Sequence, residues 1–339
     1  MKRIGQIFLW GSLALVALWV IPSVVNLMTL EGYSTPFTLY SCTVHDFTAL
    51  DRGEGSDFRF VDTKGNVYGD EAQPMFYASL LASKGALPDS IEGRKITLEE
   101  IEYNSVIASS DPKDVNRTLS PVYLLMDSVP VRLELQDPEE ALVSRNDRID
   151  IYTMATNEIR ADKTAALNAA LKASGFVFPA RLFAGKPSHR KAYDEGYLVT
   201  DAEGKLFQLK QVNDSVTVRH FPAADGLGIH FLMITEFDNH ATLGYFTGAD
   251  GFLQMLLPDG RVVKTAVPFD AGREDLLIVG DMFYYTVKTS TEEGERFWAL
   301  RSSDFSLVDT LSRRYPSDFS LPGIHFTSTG DGWVKPRFN

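Results

Sequence analysis

The sequence predicts a mainly β protein with a few helices. We expect an N-terminal transmembrane helix, followed by a β-propeller-like (or β-meander) extracytoplasmic domain. One observation behind this prediction is an uncharged apolar stretch from Ile4 to Val25. Another is an aromatic content of 12%, with 22 Phe and 13 Tyr, which favours sheets whose faces are covered by rings. A third is a series of hairpin-like segments after Tyr197.

The N-terminal segment has the length and composition of a membrane anchor. As a helix, Ile4 to Val25 would extend roughly 33 Å, which exceeds a hydrocarbon core of about 30 Å. Lys2 and Arg3 precede the segment and no basic residue follows before Arg52, so the positive-inside rule predicts a cytoplasmic N-terminus. A cleaved signal peptide is the alternative, but its apolar region would be only about 7–15 residues long and a small-x-small cleavage site would follow it.

Short β-branched and aromatic runs predict the first strands of the exported domain. They cover residues 37–40, 58–61 and 67–68, with turn residues between the last two. Between 91 and 157, prolines mark turns that separate further short strands.

Two helices are predicted from apolar residues that recur four positions apart and from a glycine that follows. They cover residues 72–84 and 162–174. In the second helix, Leu167 and Leu171 form the apolar stripe.

After Tyr197 the sequence repeats a simple pattern, in which a short turn separates two runs of alternating apolar residues. The turns contain Asp201 to Gly204, Asp250-Gly251 and Asp259-Gly260, residue types that tolerate positive φ in tight hairpins. The pattern recurs every ~45–50 residues, which is typical of propeller blades. A β-sandwich or an irregular meander would leave a similar pattern.

The chain therefore divides into three predicted parts. Residues 1–28 are the cytoplasmic N-terminus and the anchor, 29–175 a mixed β/α first part of the extracytoplasmic domain, and 176–339 its repetitive, propeller-like part. Because Cys42 is the only cysteine among 339 residues, the domain must depend on its hydrophobic core and not on an internal disulfide. A formal net charge of −12 repels phosphate backbones, so we expect no nucleic-acid partner.

Two stretches resemble a known family. They are Pro88–Gly93 (PDSIEG), and Gly175–Ala180 (GFVFPA) continuing into Lys186–Tyr197. With the apolar segment and the Asp201–Leu209 hairpin, they make most of the chain similar to an uncharacterised bacterial family of single-pass envelope proteins with a domain of unknown function. The resemblance implies placement in the bacterial inner (cytoplasmic) membrane, with the bulk of the chain in the periplasm. It also implies genes beside ABC-type transporter components, and hence an accessory role in transport.

The segment Arg181–Tyr197 concentrates positive charge in an otherwise acidic domain. Arg and Lys side chains supply charge-assisted donors, so this segment is the candidate site for an anion or for the acidic face of a partner. The alternative is a solvated loop whose basic residues are neutralised by the acidic residues that follow. The candidate residues are Arg181, Lys186, His189, Arg190, Lys191 and Tyr193.

Two polar clusters have some of the residue types of a metal site. Glu236, Asp238 and His240 alternate, so on a strand they would share one face and could hold a divalent cation or pair an acid with a base. The same alternation marks the solvent side of an outer strand. Cys42 and His45 lack the further ligands and the spacing of established metal sites. We therefore predict no metal centre and no cofactor.

The sequence contains no catalytic or nucleotide-binding motif of the common classes. The patterns G-x-S-x-G, G-x-x-x-x-G-K-[ST], G-x-G-x-x-G and H-E-x-x-H are all absent. We therefore expect a protein that is not an enzyme: a membrane-anchored binding or scaffolding protein in a membrane-protein complex. The alternatives are an anchored envelope hydrolase that uses paired carboxylates, which leave no sequence motif, and a solute-sensing head.

Overall fold

The computed structural model describes residues 2–29, 35–52, 58–70, 73–116, 120–130, 132, 134–291, 293–315, 324–326 and 336–338. Of these residues, 39% lie in strands and 19% in α-helices. The helices are α1 (Lys2–Thr29), α2 (Ala78–Ser83), α3 (Leu98–Tyr103), α4 (Pro112–Asn116) and α5 (Ala161–Ala173).

The strands follow one another in short hairpins. In chain order they are β1 (Thr38–Ser41), β2 (Asp46–Arg52), β3 (Phe58–Val61), β4 (Val67–Tyr68), β5 (Ser90–Ile91), β6 (Arg94–Lys95), β7 (Val106–Ser110), β8 (Val122–Leu125), β9 (Asp127–Ser128), β10 (Glu140–Ser144), β11 (Ile149–Thr153), β12 (Glu158–Ile159), β13 (Phe183–Gly185), β14 (Tyr197–Thr200), β15 (Leu206–Val212), β16 (Ser215–His220), β17 (Phe231–Ile234), β18 (Gly244–Thr247), β19 (Phe252–Leu256), β20 (Val262–Pro268), β21 (Asp275–Gly280), β22 (Tyr284–Thr291), β23 (Gly294–Arg301), β24 (Leu307–Arg314), β25 (Ile324–Phe326) and β26 (Pro336–Phe338).

In the described part of the chain, most strands belong to five sheets, each built largely from consecutive antiparallel hairpins. Sheet 1 has the order β1-β2-β3-β4, sheet 2 the order β12-β11-β10-β8, and sheet 3 the order β13-β14-β15-β16 with β9 parallel to β15. Sheet 4 has the order β17-β18-β19-β20, and sheet 5 the order β24-β23-β22-β21-β7. The pairs β5-β6 and β25-β26 form two separate ribbons.

Hydrophobic clusters join these sheets in succession. One cluster lies between sheets 2 and 3 and includes α5, the next between sheets 3 and 4, and the third between sheets 4 and 5. A fourth cluster packs sheet 1 and helices α2 and α3 against sheet 5, so the first sheet of the chain contacts the last. This curved succession of small antiparallel sheets confirms a mainly β, propeller-like fold. Within the described residues, no such cluster joins sheet 1 to sheet 2.

The predicted strands and hairpin turns are confirmed. Strands β1, β3 and β4 fall on the three predicted runs, and the turns at Asp201, Asp250 and Asp259 each connect two strands of one sheet. Gly204 and Gly260 have φ of +81° and +93°, the backbone conformation that glycine adopts at no steric cost.

The two predicted helices have different outcomes. Helix α5 is confirmed, with Leu167 and Leu171 only 1% and 0% exposed. The prediction of a helix over 72–84 is wrong at its N-terminus: residue 72 lies outside the described residues, and a 3₁₀ turn (Met75–Tyr77) precedes α2. Pro74 is extended, with ψ of 153°, so the helix begins only after it. Helices α3 and α4 escaped prediction because five or six residues are too few to show a period.

Helix α1 contains the predicted membrane-spanning segment from Ile4 to Val25. Its described large apolar side chains are exposed, for example Ile4 at 73% and Phe8 at 78%. The side chains of Trp19 and of residues 22–29 lie outside the described part of the chain. Counting only what the structure describes, no helix is long and apolar enough to cross a membrane. The predicted transmembrane helix is therefore not supported by the structure.

Candidate functional site

Lys191 is the buried centre of the 181–197 segment. Its side chain is 6% exposed, and the ammonium donates hydrogen bonds to Asp194 Oδ1 at 2.6 Å and to the two oxygens of Glu236 at 2.6 and 2.7 Å. Both carboxylates are 2% exposed. Since the second oxygen of Asp194 and Oε1 of Glu236 also accept backbone N–H groups, from Gly196 at 3.0 Å and from Glu195 at 2.7 Å, the excess negative charge is compensated by donors.

Burial determines the electrostatics of this network. Burial raises the pKa of Glu236, against the opposing effects of the Glu195 N–H and the Lys191 ammonium. The Lys191 ammonium and the Glu195 N–H therefore favour the ionised form of Glu236 in a place that disfavours its charge.

Tyr193 makes the second attachment of the segment. Its hydroxyl donates to the carbonyl oxygen of Phe237 at 2.7 Å, and its ring lies 4.1 Å from the ring of His240, centroid to centroid. Burial, and then the nearby carboxylate of Glu195, raise the pKa of Tyr193. The two contacts tie residues 191–193, which precede β14 in sheet 3, to the connection between β17 and β18 in sheet 4.

Gly196 permits the tight turn that brings the carboxylate of Asp194 into contact with the ammonium of Lys191. Its φ is +69°, and a Cβ at this position would lie 2.1 Å from the carbonyl oxygen of Leu209. Any other residue would collide with the backbone of β15, so glycine is required at position 196.

The predicted alternation of Glu236, Asp238 and His240 on one strand face is wrong. Strand β17 ends at Ile234, and the three residues lie in the following connection, where His240 has φ of 50°. Glu236 turns inward to Lys191, while the ring of His240 lies against that of Tyr193 at an interplanar angle of 32°. In the part of the chain that is described, no group of three or more His, Cys, Asp or Glu side chains could hold a metal ion.

The remaining basic candidates lie on the surface. Arg181, Lys186, His189 and Arg190 are all exposed. His189 Nδ1 lies 2.6 Å from Asp137 Oδ1, and Arg181 Nε donates to the carbonyl of Ala202 at 3.3 Å. Among the described residues, the side chains of Lys186 and Arg190 have no ion-pair partner.

The acidic residues that follow do not neutralise these exposed bases. Asp194 is bound to Lys191, and the Glu195 carboxylate accepts hydrogen bonds from Gln208 at 2.8 Å and from Lys210 at 3.2 Å. The structure thus brings Lys191 and Tyr193 together with Glu236 and His240, and leaves the other predicted residues exposed beside them.

The pair Cys42 and His45 forms no site. Cys42 is buried, and burial raises the pKa of its thiol. His45 is exposed and lies 3.7 Å from Glu92, whereas its neighbour Asp46 accepts a hydrogen bond from the Thr63 hydroxyl at 2.7 Å. The side chains of His45 and Asp46 therefore have separate partners.

Besides Lys191, the protein has another buried lysine, Lys163 on α5, which the sequence analysis did not single out. The side chain of Lys163 is 7% exposed, and its ammonium donates to Glu140 Oε2 at 2.6 Å and contacts Asp214. Glu140 and Asp214 line a cavity of about 130 Å³ at the junction of sheets 2 and 3. One signal was available: Lys163 precedes Leu167 by four residues and so belongs to the buried stripe of the helix.

Comparisons with known proteins give one family and a few distant structures. A family described as "Domain of unknown function (DUF4857)" matches residues 37–300. No curated protein matches the chain. The similar solved structures include PorZ, a surface component of the type-IX secretion system of Porphyromonas gingivalis, with 13% identity and a TM-score of 0.25 over 88% of this chain. This chain spans 34% of the PorZ chain.

Two other solved structures are similar at the same low level. The dihydro-heme d1 dehydrogenase NirN has 12% identity and a TM-score of 0.27, over 75% of this chain and 70% of its own. The β-propeller domain of Swd1 (Cps50) from Myceliophteria thermophila has 9% identity and a TM-score of 0.24, over 91% of this chain and 98% of its own. Scores of this size carry no argument about function.

Proposed function

This chain belongs to the DUF4857 family, and from that premise we propose that it is a membrane-anchored, extracytoplasmic binding or scaffolding protein. In this proposal its β-rich head docks on the acidic surface of a membrane-protein complex through the exposed bases of the 181–197 segment. The complex that the family resemblance favours is an ABC-type transport system of the bacterial inner membrane.

The observation that carries the proposal is the contrast between the two halves of the segment. Lys191 and Tyr193 fix one half to sheet 4, and the other half presents Lys186 and Arg190 to solvent. A segment held in place loses less conformational entropy on binding, so its exposed cations are ready to pair with carboxylates. Because the whole chain has a net charge of −12, an acidic partner is repelled by the rest of the surface. The exposed basic side chains of the 181–197 segment therefore orient the partner.

The anchor in this proposal rests on the sequence. Ile4 to Val25 has no charged residue, and as a helix these residues would extend roughly 33 Å. With Lys2 and Arg3 on the cytoplasmic side, the head lies outside the cytoplasm, next to its proposed partner.

A charge-reversal experiment tests the docking. The full-length chain is recovered in mild detergent at native abundance, and the proteins that follow it are quantified by mass spectrometry. We expect stoichiometric recovery of transporter subunits, and at least a tenfold loss of recovery for the double variant Lys186→Glu/Arg190→Glu, since two charge-assisted contacts become repulsive.

The matched control is Lys113→Glu/Lys172→Glu, which reverses two exposed lysines outside the segment. The control keeps its partner if the segment docks. Recovery of the wild-type protein alone contradicts an obligate complex, and equal recovery by both double variants contradicts docking through the segment.

The hydrolase alternative gains no specific observation from the described residues. Two of the five acidic residues that line the cavity at sheets 2 and 3, Glu140 and Asp214, contact the ammonium of Lys163.

A further inference from the structure

A larger cavity, of about 540 Å³, opens between sheets 4 and 5. It lies where the β18–β19 turn, the β20–β21 connection and the β22–β23 hairpin meet. Its volume falls within the range of about 300–1,000 Å³ that is usual for small-molecule sites. The polar residues that line it include His230, Asp270, Arg273, Glu274, Thr291 and Arg296.

Glu274 is a buried carboxylate that holds Arg296, one of the two arginines of the cavity, in place. Its side chain is 9% exposed, its Oε2 accepts the backbone N–H of Asp270 at 2.9 Å, and its Oε1 is paired with the guanidinium of Arg296. The guanidinium carbon of Arg296 also lies 5.3 Å from the centroid of the Trp298 ring. These contacts hold Arg296 in one orientation while its side chain remains 44% exposed at the cavity.

Arg273 is the second cation of the cavity and is less engaged. Its side chain is 74% exposed, and it lies 3.7 Å from Asp270, which is beyond hydrogen-bonding distance. Within the described residues, its guanidinium donates no hydrogen bond. Each guanidinium has five N–H donors, so most donors of the two arginines are uncommitted.

We propose that this cavity binds a small molecule through an oxyanion, a carboxylate or a phosphate, held between Arg273 and Arg296. The planar guanidinium matches the two oxygens of such a group, and two guanidiniums at one cavity supply donors for it. Glu274 acts as a positioning residue, because it fixes Arg296 and has its own oxygens satisfied. The site shares no residue with the 181–197 segment, so it is independent of the docking proposed above.

The test is calorimetric titration of the full-length chain, in mild detergent, with succinate and separately with inorganic phosphate. The two probes distinguish a carboxylate site from a phosphate site. We expect saturable binding of at least one probe. Arg273→Gln is expected to lose affinity by about tenfold to hundredfold, because it removes a charge-assisted contact. Arg296→Lys, which keeps the charge next to Glu274 but loses the planar fork, is expected to weaken binding as well.

The matched control is Arg261→Gln, at an arginine of similar exposure, 73%, that pairs with Asp259 in the β19–β20 turn. Its affinity for the probe stays at the wild-type value if the cavity is the site. The proposal is overturned if neither probe binds saturably, if Arg273→Gln binds like the wild type, or if Arg261→Gln weakens binding equally.

Discussion

At the scale of single residues, the network around Lys191 places one ammonium between two buried carboxylates. We predict that Lys191→Met lowers the free energy of unfolding by about 3–5 kcal/mol, because Asp194 and Glu236 remain buried without their cation. Urea unfolding of the full-length chain in detergent measures the loss.

Two variants control this measurement. Lys186→Met, at an exposed position five residues earlier, is expected to change stability by no more than ~0.5 kcal/mol. Adding Glu236→Gln to Lys191→Met removes one of the two stranded charges and is expected to recover part of the loss. Wild-type stability in Lys191→Met would show that the buried ion pairs do not contribute.

Asp281 is another buried carboxylate, but its hydrogen-bond donors are backbone N–H groups and not a cation. It is 9% exposed, accepts the backbone N–H groups of Phe283 at 2.7 Å and Tyr284 at 2.9 Å, and has no cation among the causes that shift its pKa. Burial raises its pKa from 3.8 to about 6. Between about pH 4 and 6, Asp281 is therefore protonated in the folded state and ionised in the unfolded state. The free energy of unfolding falls as pH rises through that range, because the unfolded state binds fewer protons.

We predict that Asp281→Asn removes this part of the pH dependence. The amide keeps an oxygen for the two N–H groups and has no charge to bury, so the variant is expected to be more stable than the wild type at pH 7, by about 3 kcal/mol at most. Melting temperatures of both proteins from pH 4 to 7 measure the difference, in which the other carboxylates cancel. Parallel profiles would contradict the prediction.

At the scale of elements, α5 shows both the strength and the limit of pattern reading. Its alanines and its leucines four residues apart predicted the helix within one residue at each end. The same stripe also contains Lys163, which is buried because Glu140 and Asp214 meet its ammonium from sheet 2 and from the β15–β16 turn. A periodic pattern identifies the buried face of a helix, but the partner of a charged residue on that face comes from other elements.

Strand β7 illustrates a limit of another kind. It has five residues and pairs antiparallel with β21, about 170 residues later in the chain. The two strands of a hairpin can be recognised in the sequence by the turn that joins them. No turn joins β7 to β21, so the sequence near β7 does not indicate its partner. Its place in sheet 5 follows from the packing of Val106 and Ala108 into the cluster between sheets 4 and 5.

At the scale of the whole molecule, the contact between the first and last large sheets connects the two ends of the head. The N–H of Tyr40 donates to Thr286 Oγ1 at 2.9 Å, and the rings of Phe47 and Phe297 lie 6.1 Å apart. Both phenylalanines are 1% exposed. Because the two residues are 250 positions apart in the chain, their interaction depends on the complete fold.

We predict that Phe47→Leu and Phe297→Leu are coupled by about 0.5–1.5 kcal/mol in a double-mutant cycle, as expected for a buried ring pair. Urea unfolding of the wild type, both single variants and the double variant gives the coupling. The control cycle pairs Phe47→Leu with Phe207→Leu, a residue in the cluster between sheets 2 and 3, and should be additive within ~0.5 kcal/mol. Additivity in both cycles would contradict direct packing of sheet 1 on sheet 5.

The sequence by itself determined the local features of this protein: the hairpin turns at Asp201, Asp250 and Asp259, the helix α5, the mainly β fold and the basic 181–197 segment. Each depends on residues close together in the chain, so its physical cause is visible in the sequence. Only the tertiary structure decided that Lys191 is buried while Lys186 is exposed, because Glu236 approaches from 45 residues away. It also decided the cavity between sheets 4 and 5, because Arg296 reaches Glu274 from 22 residues away.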